Sequence, residues 1–126
     1  MIKQLVFVAS GGAIGASLRY LTGLLAVRWF GAGFPWGTLV VNIFGSFVMG
    51  IVVEYLARRL GAEQEWRLLL ITGLLGGYTT FSAFSYEVII MIERHAYTAA
   101  GSYIAANVIG AIVALSAGLI LARHIF

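Results

Sequence analysis

The chain has 126 residues, of which 61% are hydrophobic and only 10% charged, with a formal net charge of +3. Soluble domains carry about one quarter charged residues, so this composition excludes an ordinary water-soluble domain. Cysteine is absent, which excludes a disulfide framework and thiolate metal sites. The basic residues mostly stand singly at the ends of apolar runs, as membrane-interface anchors do and phosphate-binding patches do not, so no nucleic-acid partner is expected.

The first apolar run covers residues 4–27, past the length of about 20 residues that crosses a bilayer. It is too long for a signal-peptide core, and three more runs follow, so it is read as a span. It holds no acid, one arginine, Arg19, and two glycines one helical turn apart, Gly11 and Gly15. Small residues at that spacing let helices approach closely in lipid. Gly31, Gly33 and Pro35 mark a tight turn before the second run, residues 36–56. There Asn42 lies well inside the apolar stretch, with Thr38 one turn earlier on the same face. An amide at that depth is costly unless partnered.

Residues 58–65 connect to the third run, residues 66–92. At its centre Gly76–Gly77 precedes Thr79–Thr80, combining maximal backbone entropy with two β-branched residues. Two readings stand. In one, the helix breaks here and frees carbonyl oxygens, which lipid cannot satisfy but a small cation such as Na⁺ can. In the other, the helix is continuous and Gly73 and Gly77 form a packing seam. Phe81 and Phe84 follow on one helix face, with Ser82 and Ser85 at the same spacing beside them. Ring edges carry partial positive charge, so such a face suits core packing or an anion. Glu87 is the only deep acid. A short connection, 92–96, leads to the fourth run, residues 97–122, which carries Tyr103 and Asn107.

Long unbroken runs exclude the alternating segments of a membrane barrel. Trp29, Trp36, Trp66, Tyr55 and Tyr97 sit at run ends, where amphipathic rings favour the headgroup level. The expected fold is an all-α membrane protein, a single transmembrane domain over 1–126 with four transmembrane helices. Both termini then share one side with Lys3, Arg58, Arg59, Arg67 and Arg123, against Arg28, Arg94 and Arg19 on the other. So small a bias leaves two outcomes open: one fixed orientation, or insertion both ways to give an antiparallel homodimer.

The stretch Gly76 to Ser85, Gly-Gly-Tyr-Thr-Thr-Phe-Ser-Ala-Phe-Ser, resembles the signature of the Fluc (CrcB-type) fluoride ion channel family. So do Gly12 to Arg19 and Gly37 to Asn42, and the resemblance extends over the whole chain in length, span count and motif order. It implies an antiparallel, dual-topology homodimer in the bacterial inner membrane that passively exports cytoplasmic fluoride and limits its toxicity. It also implies a third helix broken at mid-membrane, with a structural Na⁺ at the dimer interface on the backbone carbonyls of Gly76 and Thr79. The implied anion pathway comprises Phe81, Phe84, Asn42, Ser82, Tyr103 and Arg19, to which Thr38 is added from its place one turn before Asn42. Glu87 matches a motif glutamate, and Asn107 and Ala111 stand where some relatives carry hydroxyls.

The main alternative is a dual-topology, proton-coupled small-molecule exporter. Such proteins depend on an acid in the first helix, and here that run has none. An enzyme is not expected: His95 and His124 lie at run ends, and no nucleophile–base pair is apparent.

The charge bias generates a test of topology. A cysteine introduced at Gly61 is expected to react with an impermeant thiol reagent from both sides of the membrane in intact cells. Labelling from one side alone would refute dual insertion.

Overall fold

The computed structural model describes residues 1–59 and 63–126; Gly61, the labelling position, lies outside the described residues. Helix α1 runs Ile2–Phe30 and α2 runs Trp36–Arg59. The third span, Gln64–Glu93, is built from two helices: α3, residues 64–78, and α4, Phe81–Glu93. Helix α5, Tyr97–Ile125, completes the chain. All four spans are long and apolar enough to cross a membrane. The helices outrun the apolar stretches because hydrophobicity marks only the hydrocarbon part of a span. A 29-residue helix such as α1 is about 43 Å long at about 1.5 Å per residue, beyond the hydrocarbon thickness of about 30 Å.

The turns follow local chemistry. At the end of α1, Gly31 has φ 82° and ψ −178°, a region open essentially to glycine alone. His95, at φ 59°, turns the chain between α4 and α5, and its Nδ1 lies 3.0 Å from the Tyr97 hydroxyl.

Helix α1 packs along α3, and α2 along α5. The first seam is the one the glycine spacing predicts. A Cβ on Gly11 or Gly15 would collide with backbone of α3, and one on Gly73 would stand 2.9 Å from the Gly11 Cα. The second seam has no counterpart among the predicted pairs. A Cβ on Gly50 would meet the Leu115 carbonyl, and one on Gly118 the Phe47 carbonyl. Both seams place backbone against backbone, which maximises dispersion contact where lipid supplies no hydrophobic drive.

Among the described residues, three ion pairs gather at the end of the bundle shared by the termini. Lys3 pairs with Glu65 at 2.8 Å, and Glu54 receives Arg58 at 2.7 Å and Arg123 at 3.4 Å. Large apolar side chains such as Ile14, Leu21, Val27, Ile109 and Ile120 are exposed around the bundle, the surface that lipid would cover.

Gly118→Val is expected to lower the thermal unfolding midpoint in detergent, because overpacking a closed seam costs about 1–3 kcal/mol. Gly101, whose Cβ would meet nothing within 4 Å, is the control: Gly101→Ala should leave the midpoint unchanged or raised. Equal midpoints for Gly118→Val and the parent would mean that the α2–α5 seam is not closed.

Candidate functional site

The site is organised by the join between α3 and α4, near the middle of the third span. The last α3 hydrogen bond is donated by the Thr79 N–H to the Leu75 carbonyl, at 3.0 Å. Thr79 (φ −83°, ψ 158°) and Thr80 (φ −151°, ψ 122°) are then extended, and α4 begins at Phe81. Thr80 caps α4, its hydroxyl accepting from the Ala83 N–H at 3.2 Å. Upstream, residues 67–75 are π-helical, the Gly76 N–H reaching back five residues to the Ile71 carbonyl. Such geometry is rare and tends to lie beside functional sites.

Asn42 of α2 takes the backbone that the join exposes. Its Oδ1 accepts from the Thr80 N–H at 2.8 Å, and its Nδ2 donates to the Thr80 carbonyl at 3.0 Å. One side-chain amide thus pairs with both backbone groups of one residue, as a neighbouring strand would. Nδ2 also donates to Asn107 Oδ1 on α5, at 2.9 Å. From there a polar line continues. Asn107 Nδ2 donates to the Tyr103 carbonyl, the Tyr103 hydroxyl donates to Glu87 at 2.9 Å, and the Thr38 hydroxyl donates to the other Glu87 oxygen at 3.1 Å. With a hydroxyl on each oxygen, the single deep carboxylate of the chain is solvated by protein.

Two grooves open onto this line. One, of about 370 Å³, lies toward the α1–α2 turn and includes Phe34, Trp36, Thr38, Glu87 and Arg94. The other, of about 300 Å³, includes Asn42, Thr79, Thr80, Phe81, Phe84 and Asn107. Phe84, which lines the second groove, packs against Tyr103 with ring centroids 5.4 Å apart. Phe81 and Phe84 meet edge-on at 5.4 Å, yet they differ in setting: Phe81 is 75% exposed and Phe84 only 6%.

The structure therefore brings together Thr38, Asn42, Phe81, Phe84 and Tyr103. Ser82 lies at the edge, exposed, its hydroxyl 3.4 Å from that of Thr80. Arg19 is not among them: its Nε donates to the Gly77 carbonyl at 3.1 Å, on the α1 side of the join. Thr79 is the first extended residue of the join, and Gly76 lies three residues before it in the last turn of α3. In an unbroken helix their carbonyls would accept from the Thr80 and Ala83 N–H groups, four residues on. Those two donors are committed elsewhere, to Asn42 and to the Thr80 hydroxyl.

Residues 6–119 match the family described as "CrcB-like protein, Camphor Resistance (CrcB)". The chain belongs to the CrcB family. Among its curated relatives, a protein of Phenylobacterium zucineum is 54% identical over 126 residues, covering 99% of each chain. One of Chelativorans sp. is 55% identical over 122 residues, covering 97% of this chain and 98% of its own. A third, of Agrobacterium fabrum, is 51% identical over 123 residues, 98% of each. Each of the three carries the name fluoride-specific ion channel FluC.

In this CrcB chain two roles escape sequence reasoning. Asn107 is Asn42's partner, and Thr80 is both helix cap and Asn42's ligand. Two deep amides on different spans are the one signal that would have paired them, since each needs a partner in lipid.

Asn42→Leu strands the Thr80 N–H, the Thr80 carbonyl and Asn107 Oδ1 at once. The expected loss is at least about 3 kcal/mol, since each unmet buried group costs about 1–3 kcal/mol. Asn107→Leu removes one of these contacts and should cost less. Thermal unfolding in detergent measures both, and a parent-like midpoint for Asn42→Leu would contradict the assignment.

Proposed function

We propose that this chain forms a fluoride-selective channel that lets cytoplasmic fluoride leave passively through the bacterial inner membrane, as an antiparallel homodimer of dual topology. The observation that carries the reading is the polar line from Thr38 to Asn42, set against the Phe81–Phe84 pair, in a chain about half identical over its full length to proteins named for fluoride conduction.

Fluoride holds water strongly, so a selective path must replace that water with several placed donors. Thr38, Asn42, Ser82 and Tyr103 supply uncharged N–H or O–H groups, and the rings of Phe81 and Phe84 supply polarised edges. Neutral donors suit conduction, which requires that an ion also leave. Thr38, Asn42 and Tyr103 already donate within the chain, so a passing anion exchanges places with those acceptors and needs no new group. Glu87, held by Thr38 and Tyr103, fixes where their hydroxyls point. Arg94 beside the groove toward the α1–α2 turn and Arg19 across the join add positive potential without entering the line.

The dimer reading is supported by what one subunit leaves uncovered. The groove at the join places Asn42, Thr79 and Thr80 beside an exposed Phe81, and such polar backbone is tolerated in a bilayer only against protein, water or an ion. A second copy supplies that cover. The donor set also fits a structural Na⁺ shared by the two subunits: the Gly76 and Thr79 carbonyls are the ones whose helical donors are committed to Asn42 and Thr80. Such an ion would raise the local potential for an anion without lining its path. This chain's part is to hold those oxygens in place.

A proton-coupled exporter of small molecules finds no support in the relatives' names or in α1, which has no acid. The decisive experiment is efflux from liposomes holding the purified protein. Fluoride is expected to leave passively while chloride stays. Phe81→Ile and Phe84→Ile keep apolar bulk but lose the ring edge, and should reduce fluoride flux with assembly retained. Equal fluoride and chloride fluxes, or an absolute need for a proton gradient, would sink the channel reading. Parent-like flux in both variants would return the rings to ordinary packing.

A further inference from the structure

Arg19 is the one strongly basic side chain of α1 that lies outside its two terminal turns, and its placement is unlike that of the other cations. Among the described residues the ion pairs are those of Lys3, Arg58 and Arg123, all with glutamates at one end of the bundle. Arg19 is in none of them. Its Nε donates instead to a backbone oxygen, the Gly77 carbonyl, 58 residues away in sequence.

That oxygen belongs to the last turn of α3. A helix leaves its final carbonyls without intrahelical donors, and a cation at that end is favoured by the helix dipole. The approach is prepared by the stripe of α1 that carries Arg19. Gly12 sits so close that a Cβ on Gly77 would stand 2.9 Å from its carbonyl oxygen, and a Cβ on Gly15 would stand 2.9 Å from the Tyr78 nitrogen. One residue past Arg19's contact, the Thr22 hydroxyl meets the Tyr78 hydroxyl at 3.0 Å. Helix α1 therefore grips the final turn of α3 at two successive residues: at Gly77 by a guanidinium and at Tyr78 by a hydroxyl pair. The gripped residues lie between Gly76 and Thr79.

We infer that Arg19, seconded by Thr22, is a positioning residue for the cation site: by fixing the Gly77 carbonyl and the Tyr78 ring it sets the separation of the Gly76 and Thr79 carbonyls. The inference rests on the Na⁺ reading above and assigns Arg19 away from the fluoride path. Groups that orient ligands from behind typically contribute 10- to 100-fold to metal affinity.

Electrostatics and positioning predict opposite signs here, which makes the inference testable. Arg19 is a cation near a cation site, so if charge alone mattered its removal would tighten Na⁺ binding. If it positions the ligands, its removal weakens binding. The readout is the thermal unfolding midpoint of the purified full-length protein, solubilised and titrated with NaCl against N-methylglucamine chloride. A ligand that binds the folded state raises the midpoint according to its affinity.

For Arg19→Gln the Na⁺ concentration giving half the stabilisation is expected to rise by about 10-fold or more. Arg19→Lys, which keeps the charge but lacks the Nε–H, should show a rise as well. Thr22→Val and Tyr78→Phe each remove one hydroxyl contact and should shift it by a smaller factor in the same direction, which keeps the test open if Arg19→Gln does not fold. Parent-like or tighter Na⁺ dependence in Arg19→Gln overturns the inference alone. If Arg19→Gln does not fold, parent-like dependence in both hydroxyl variants overturns it. A parent protein whose midpoint is indifferent to Na⁺ overturns the cation site and the inference with it.

Discussion

A hydrocarbon layer offers no hydrogen bonds, so every backbone group at depth must find a partner in the protein. The pairing of Asn42 with both the N–H and the carbonyl of Thr80 is the contact on which the site depends. Without it, the extended pair Thr79–Thr80 would leave polar backbone facing lipid, and a continuous helix would be the cheaper structure. With it, one amide on α2 substitutes for the lost helical partners, and the third span turns into two helices whose ends converge on one point. The cap supplied by Thr80 to α4 and the grip of α1 on Gly77 and Tyr78 finish the arrangement from two other directions.

The glycine seams make those contacts reachable. A guanidinium on α1 can touch the α3 backbone because Gly11, Gly12 and Gly15 allow the two helices to lie backbone to backbone. The Gly50–Gly118 contact does the same for α2 and α5, which brings Asn42 and Asn107 within a single hydrogen bond. Close packing and polar satisfaction are thus one design: side chains too short to reach across an ordinary interhelical gap reach across these.

Much of this was legible in the sequence. Run length and anchoring aromatics gave the four spans, and glycine spacing gave the α1–α3 seam, because these depend on residues near one another in the chain. The join was legible as a weakness, Gly76–Gly77 followed by two threonines, but not as a resolved structure, since helix propensity names a poor helix without naming what replaces it. The partners of the join lie on other spans. Gly50 and Gly118 carry no spacing signal because no other glycine stands three or four residues from either, and the Arg19 contact joins residues 58 apart in the chain. Phe81 and Phe84 share a face as expected, yet residues three apart are rotated by about 60° on a helix, enough to bury one ring in the bundle and leave the other at its edge.

The π-helical stretch bears on how the protein fits its bilayer. Two extended residues advance the chain by about 3.3 Å each, against about 1.5 Å each in a helix, so the Thr79–Thr80 pair makes the third span about 3.6 Å longer than an uninterrupted helix of equal residue count. Residues 67–75 work the other way: turns that close over five residues are wider and climb less per residue. The two irregularities have opposite effects on thickness, so together they leave the height of the 30-residue third span nearer that of an uninterrupted helix than either would alone. A membrane thus reads the third span by its summed height, in which one irregularity hides the other.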